Sequence, residues 1–199
     1  MRAFKKMAKT LGLKITDSEA EAVKIAWREA HPRIVRFWYA LESAAYNCVA
    51  EPPGRVFTVD RVSFTRSNRT LKLRLPSGRQ LVYWSPSIQP METPWGEMRP
   101  QVRFWSQNSM TRKWEKFALY GGLISENITQ AAARDVLVDA FIRLDAAGLN
   151  PILSVHDEVI CETDASADAV REIMQTPPEW ARDLPLAVEV TVSPRYQKG

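Results

Sequence analysis

The sequence has few of the features that stabilise small secreted domains or anchor a protein in a membrane. Cysteine occurs only twice, as Cys48 and Cys161, among 199 residues. Two cysteines cannot form a disulfide framework, nor can they supply a four-cysteine zinc site. No apolar run approaches the roughly 20 residues of a membrane span, and no secretory signal opens the chain. We therefore expect a cytoplasmic protein that does not associate with membranes.

What the sequence does contain is typical of a folded domain with a basic surface. Apolar residues make up 45% of the chain, seven tryptophans among them, which is enough to build a packed core. The length suits one sizeable domain or two small ones. The net charge of +4 and the isoelectric point near 9.2 permit a nucleic-acid partner without requiring one.

The pattern of residues predicts an α+β fold in three parts. Residues 1–50 are predicted to be helical, with a capping box formed by Thr16 and Glu19 and an interruption at His31. Residues 51–110 are predicted to form β-hairpins and loops, and three prolines favour a loop over 85–96. The hairpins are basic, through Arg61, Arg66, Arg69, Lys72, Arg74 and Arg79. This charge indicates either a solvated face or contacts to phosphates.

The third part, residues 111–199, is predicted to contain a long helix followed by a β-hairpin. The helix should run from about Ser125 to Ala147 and carry three polar residues on one side, namely Asn127, Gln130 and Arg134. These residues fall within two helical turns, so their side chains could hydrogen-bond into one groove. After the hairpin, we expect Asp164 to cap a helix over 166–175 and Leu186–Val192 to form a last strand.

The hairpin itself carries charged residues at its tip. Two short β-branched runs flank His156, Asp157 and Glu158 within residues 152–162. Adjacent carboxylates repel each other, so they favour a divalent cation between themselves and a phosphate. Taken alone, the triplet favours a polar turn over a metal site, because turns are rich in aspartate.

Several motifs, in this order and spacing, resemble the C-terminal part of family A DNA polymerases, most closely the phage and prophage branch. They are Leu73-Arg74-Leu75-Pro76-Ser77-Gly78-Arg79, Thr111-Arg112-Lys113-Trp114, Tyr120-Gly121-Gly122, Glu126-Asn127-Ile128-Thr129-Gln130-Ala131, Val155-His156-Asp157-Glu158, Leu184-Pro185-Leu186 and Arg195-Tyr196. The resemblance covers essentially the whole chain. It implies template-directed nucleotidyl transfer in a bacterial or phage-infected cell, with primer–template DNA and deoxynucleoside triphosphates as partners.

The resemblance also assigns roles to individual residues. It makes the hairpin motif C of a polymerase palm, where Asp157 matches one of two aspartates that hold catalytic Mg²⁺ ions and Glu158 supports that metal site. It places His156 near the primer terminus and Gln130 against the minor groove. Both residues of a base pair present acceptors in that groove, so an amide donor there checks geometry without reading sequence. Contacts to DNA are expected from four residues, Gln130, Asn127, Arg134 and Arg112.

Two parts of the family pattern do not occur in this sequence. One is the Asp-x-Ser-x-x-Glu motif that carries the other metal-binding aspartate, and Asp60 lies in a different setting, Thr-Val-Asp-Arg. The other is the fingers helix with its Arg, Lys and Tyr-Gly. The resemblance therefore implies a partial palm: residues 1–50 would follow the fingers helix, 51–110 would be a basic insertion, and 111–199 would contain motif C. A partner or an N-terminal polymerase fragment would have to supply the rest.

Two other functions remain open from the sequence. The chain could be an inactive prophage remnant, or a non-catalytic DNA-binding or assembly protein. It could also be a metal nuclease, although a single Asp-Glu pair seldom holds two metals. A neighbouring reading frame that ends in the missing motifs would favour the polymerase.

Overall fold

A computed structural model describes residues 7–92 and 96–196; residues 7–10 are helical, and two consecutive longer helices follow them. Helix α1 (Asp17–Ala30) starts at the predicted capping box, in which the Glu19 amide donates to the Thr16 hydroxyl and the Thr16 amide donates to the Glu19 carboxylate. Helix α2 (Pro32–Ala50) starts directly after His31, because a residue before proline avoids the helical region. Residues 1–6 of the predicted helical part lie outside the described residues.

The central part of the chain is a single antiparallel sheet of six strands that follow one another in sequence order. The strands are β1 (Val56–Val59), β2 (Val62–Arg66), β3 (Thr70–Arg74), β4 (Gln80–Glu92), β5 (Met98–Gln107) and β6 (Trp114–Leu119). The turn at Pro76-Ser77-Gly78 lies between β3 and β4 as predicted, with Gly78 at a φ of +90°. The predicted boundary at 110/111 falls inside the β5–β6 hairpin, so the sheet is larger than a hairpin insertion.

The prediction of a loop over 85–96 is wrong for most of its length, because β4 continues to Glu92. A bulge lies between Trp84 and Ser87, and beyond it β4 pairs only with β5. Pro86 lies in the bulge and Pro90 lies where one strand edge is free, and these are the positions at which a sheet tolerates proline.

One face of the sheet packs on the helices and forms the main core. Phe64, Leu71 and Leu73 are fully buried in it together with Leu41 of α2. Side chains alternate between the two faces of a strand, so Lys72 and Arg74 lie on the opposite face. We call the helix-facing side the inner face of the sheet and the opposite side its outer face.

Helix α3 (Gly121–Ala146) crosses the sheet and contacts α2 closely at its first residue. A Cβ atom on Gly121 would lie 2.0 Å from the backbone oxygen of Trp38, so only glycine fits there. The Gly121 amide donates to Glu42 of α2 at 3.0 Å. This carboxylate replaces a side-chain cap at the positive end of α3. The helix begins four residues before the predicted Ser125.

The C-terminal part contains the hairpin of β7 (Pro151–Val155) and β8 (Glu158–Cys161), followed by α4 (Ala167–Gln175). Leu144, Leu149 and Val170 form a second, smaller core between these elements. Ser166, not Asp164, caps α4, because its hydroxyl accepts from the Ala169 amide.

The last segment departs from the sequence prediction. Residues 186–192 are extended but pair with no strand in the described part of the chain, so the predicted strand is wrong. A short 3₁₀ turn, Glu179–Ala181, precedes them. Across the described ranges, no helix is both long enough and apolar enough to span a bilayer.

Candidate functional site

The charged triplet of the C-terminal hairpin lies at its turn. Val155 pairs with Glu158, which leaves His156 and Asp157 as the two turn residues. His156 adopts a left-handed backbone with φ +54°, as tight two-residue hairpin turns require. His156 and Asp157 are both exposed, and Glu158 is half-buried at the start of β8. The Asp157 carboxylate is thus presented to solvent, and Glu158 follows it at the start of β8.

Glu158 has a partner within the chain. The Tyr196 hydroxyl donates to the Glu158 carboxylate at 3.3 Å. Desolvation and the neighbouring Glu158 carboxylate raise the pKa of the Tyr196 phenol, so the phenol remains a hydrogen-bond donor at neutral pH. This contact orients Glu158 and leaves Asp157 as the unrestrained carboxylate of the pair.

The hairpin does not complete a metal site by itself. Within residues 7–92 and 96–196, no cluster of three or more His, Cys, Asp or Glu side chains is arranged to hold a metal ion. Asp157 and Glu158 are oxygen donors of the type that Mg²⁺ prefers, but no third His, Cys, Asp or Glu of the described residues joins them in such a cluster.

A groove of about 950 Å³ runs between the inner face of the sheet and α3. Its lining includes Tyr83 and Phe104 of the sheet and Asn127, Gln130 and Arg134 of α3. The three polar residues that the sequence predicts for one helix side therefore share one groove. The aromatic residues pack edge to face, with ring centroids 5.0 Å apart, and form its floor.

The three α3 residues differ in how far they are free to bind a ligand. The Asn127 amide donates to the Tyr83 hydroxyl at 3.0 Å, so it is partly used in packing. Burial raises the pKa of Tyr83, and the Asn127 hydrogen bond lowers it by less. Gln130 is exposed, and its amide makes only a long 3.4 Å contact to Glu126. Of the three α3 residues, Gln130 is therefore the one least engaged by other side chains of the described residues.

Arg134 links the groove to the hairpin. Its guanidinium donates to the Ser154 hydroxyl of β7 at 3.2 Å. The groove and the turn at 156–157 thus lie on neighbouring parts of one surface, with Arg134 between them. Arg112, by contrast, lies in the β5–β6 turn with φ +58° and is not among the groove residues.

Sequence reasoning missed two contributors to this groove. Tyr83 forms part of its floor, and Arg79 closes one end through an ion pair with Asp135 at 2.5 Å and a hydrogen bond to the Ala131 carbonyl. The sequence alone groups Arg79 with the arginines of a solvated or phosphate-binding face. No local signal reveals its role, because Arg79 and Asp135 are 56 residues apart.

Comparison with known proteins gives one strong match. The chain is 34% identical over 191 residues to a protein described as a DNA polymerase of Bacillus phage SP02. The match covers 94% of this chain. The chain is similar to a portion of a phage DNA polymerase. It spans 29% of that relative's length. The predicted resemblance to phage DNA polymerases is thereby confirmed.

The other comparisons add nothing to this assignment. No family model matches the chain. No solved structure matches it either. The α+β architecture, with an antiparallel sheet and flanking helices, is compatible with part of a polymerase.

Proposed function

We propose that this chain is a palm-containing portion of a family A DNA polymerase and contributes one carboxylate hairpin to template-directed nucleotidyl transfer. The observation that carries the proposal is the 34% identity to a phage DNA polymerase over nearly the whole chain. The substrates would be primer–template DNA and deoxynucleoside triphosphates, in a phage-infected or bacterial cell. A further polypeptide or N-terminal segment would supply the second aspartate and the fingers helix.

The arrangement of the site supports this proposal. Asp157 is exposed at the hairpin turn, and Gln130 lines the groove on the neighbouring surface. A duplex in the groove would place the Gln130 amide against minor-groove acceptors, which are common to A·T and G·C pairs. Arg134 lies between the two and could contact a phosphate next to the hairpin.

Mg²⁺ fits this proposal only when the chain is completed. Such an ion would stabilise the charge that develops on the attacking and leaving oxygens during transfer. Asp157 would be its ligand from this chain, with Glu158 behind it and His156 beside the primer end. In this proposal the second metal-binding aspartate would come from another part of the polymerase.

The alternative is an inactive remnant or a non-catalytic DNA-binding or assembly protein. The incomplete carboxylate set of the described residues favours this alternative for the chain on its own. The same observation argues against a nuclease that works by two metals, because one adjacent pair of carboxylates is too small a ligand set.

We expect that the isolated 199-residue chain extends no primer. The second metal-binding aspartate and the fingers helix are absent from its sequence, so neither the metals nor the incoming nucleotide would be held. The measurement is extension of a labelled primer with Mg²⁺ and all four nucleotides, with and without the polypeptide that supplies the missing part. Extension by the chain alone would show that a complete site exists within these residues. No extension by the completed pair would favour the non-catalytic alternative.

Gln130→Ala should slow primer extension by the completed polymerase roughly fivefold. The variant removes one groove hydrogen bond, which is worth about 1 kcal/mol, a factor of about 5. The check is kcat/KM for single-nucleotide incorporation. Glu172→Ala, an exposed substitution on α4 outside the groove, is the control and should leave the rate unchanged. Equal rates for both variants would show that Gln130 does not contact the duplex.

A further inference from the structure

The outer face of the six-stranded sheet carries a row of exposed aromatic residues. Trp84 of β4 pairs directly with Trp105 of β5, and Trp105 pairs with Lys116 of β6. Residues directly opposite each other on adjacent strands project from the same face. Trp114, two positions from Lys116 along β6, projects from that face as well. The exposed fractions of the three tryptophans are 51%, 38% and 59% in sequence order.

Cationic side chains accompany these tryptophans. The Lys116 ammonium lies 5.6 Å from the centroid of the Trp105 ring. Lys72 and Arg74 project from the same face on β3, since they alternate with the buried Leu71 and Leu73. Neither of these two cations makes an ion pair within the described ranges. They remain available to an anionic ligand.

The charge of this part of the chain is strongly one-sided. Residues 56–119 contain eleven Lys or Arg and four Asp or Glu, so their net charge is +7, whereas the whole chain carries +4. The outward positions of the described strands β1–β6 contain no acidic residue. Glu115, the acidic neighbour of Lys116, accepts hydrogen bonds from Asn108 and Thr111 in the adjacent turn.

We propose that this outer face binds single-stranded DNA. A sheet face that carries both exposed aromatic rings and cations provides stacking surfaces for unpaired bases and charges for their phosphates. A duplex has no unpaired bases to offer the three tryptophans. A protein partner would explain exposed aromatic residues, but it would not explain a face without acidic residues and with unpaired cations.

The surface is separate from the site of the proposed polymerase function. The groove with Gln130 lies on the inner face of the same sheet, and the hairpin turn lies beyond α3. The choice of DNA over RNA rests on the proposed function, and the choice of a single strand rests on the tryptophans. The outer face would hold an unpaired strand close to the duplex that the groove receives.

The test is binding of a fluorescein-labelled 20-residue oligothymidylate to the full chain, without nucleotides or Mg²⁺, measured by anisotropy. We expect tighter binding to this probe than to a duplex of the same length. Trp105→Ala and Trp114→Ala should each weaken it about 5- to 150-fold, the range that corresponds to about 1–3 kcal/mol per stacked base. Lys72→Gln should lower the log–log salt slope by about 0.7.

Two controls separate stacking from misfolding. Tyr39→Ala removes an equally exposed aromatic side chain from α2 and should leave binding unchanged. Trp114→Phe keeps a ring on the fold's surface and should retain most of the affinity, with an unaltered circular dichroism spectrum. Full affinity for oligothymidylate in both tryptophan-to-alanine variants would overturn the proposal, and so would equally tight binding of duplex. The proposal would also fail if the tryptophan variants changed the sedimentation of the chain and left its DNA binding unchanged.

The outcome is independent of polymerase activity. Loss of oligothymidylate binding on replacing the tryptophans, together with an inactive completed enzyme, would support this surface and overturn the proposed function alone. An active completed enzyme, together with tryptophan variants that bind oligothymidylate fully, would support the proposed function and overturn this surface.

Discussion

Asp157→Ala should abolish primer extension by the polymerase that contains this chain. Asp157 is the exposed carboxylate of the hairpin turn, and within the proposal it is the only direct metal ligand that the chain supplies. A metal ion contributes several kcal/mol of charge stabilisation in such a reaction. Since each 1.4 kcal/mol is a factor of ten, we expect a loss of about 1,000-fold or more in kcat, measured in single-turnover incorporation.

The matched control is Asp164→Ala. Asp164 is also an exposed aspartate, seven residues further along and after the end of β8, so its loss changes the net charge equally. We expect the control to retain nearly full activity. Asp157→Asn should be as inactive as Asp157→Ala, because the amide keeps the size of the side chain and removes its charge. A small, similar loss in all three variants would show that the hairpin has no catalytic part.

Gly121→Ala should destabilise the fold by about 3 kcal/mol, at the upper end of what overpacking costs. The added Cβ would lie 2.0 Å from the Trp38 oxygen and 2.5 Å from its carbonyl carbon. Both are backbone atoms, so α2 and α3 would have to move apart. The hydrogen bond from the Gly121 amide to Glu42 would lengthen at the same time. Urea unfolding followed by circular dichroism measures the change in the free energy of unfolding.

Gly122→Ala is a stringent control for this prediction. Its Cβ would meet only the ring of Tyr120, at 3.2 Å, and that half-exposed side chain can turn aside. Alanine is also favoured over glycine inside a helix by about 1 kcal/mol. We therefore expect Gly122→Ala to leave the free energy of unfolding unchanged or slightly higher. A similar destabilisation in both variants would mean that the contact with Trp38 is not the cause.

Local signals in the sequence predicted the elements whose causes are local. The hydrogen bonds between Thr16 and Glu19 involve residues three apart, and the break at His31 follows from the adjacent proline. Both are properties of a short segment. Such features can be predicted from a single sequence, because no distant residue can easily override them.

The failures have distant causes. The extent of β4 past Ser85 depends on its pairing with β5, which tolerates Pro90 opposite Pro100 where one edge is free. The segment over 186–192 alternates in burial like a strand, yet no described strand is beside it. In the groove, Asn127 is used by Tyr83, 44 residues earlier. The positions of Gln130 and Arg134 on one side of α3 could be predicted, but not what lies opposite them.

The two hydrophobic clusters differ in size and are joined mainly by α3. Among the described residues, the cluster around Leu41 and Phe64 has fifteen buried members, whereas the one around Leu144 has three. Cooperative units with few buried apolar contacts open at a lower free energy than the rest of a protein. The smaller unit contains the hairpin, so we expect that separating its strands costs less free energy than opening the large sheet. The order of the end that carries Asp157 should therefore depend more on contacts with a partner or substrate than the order of the sheet does.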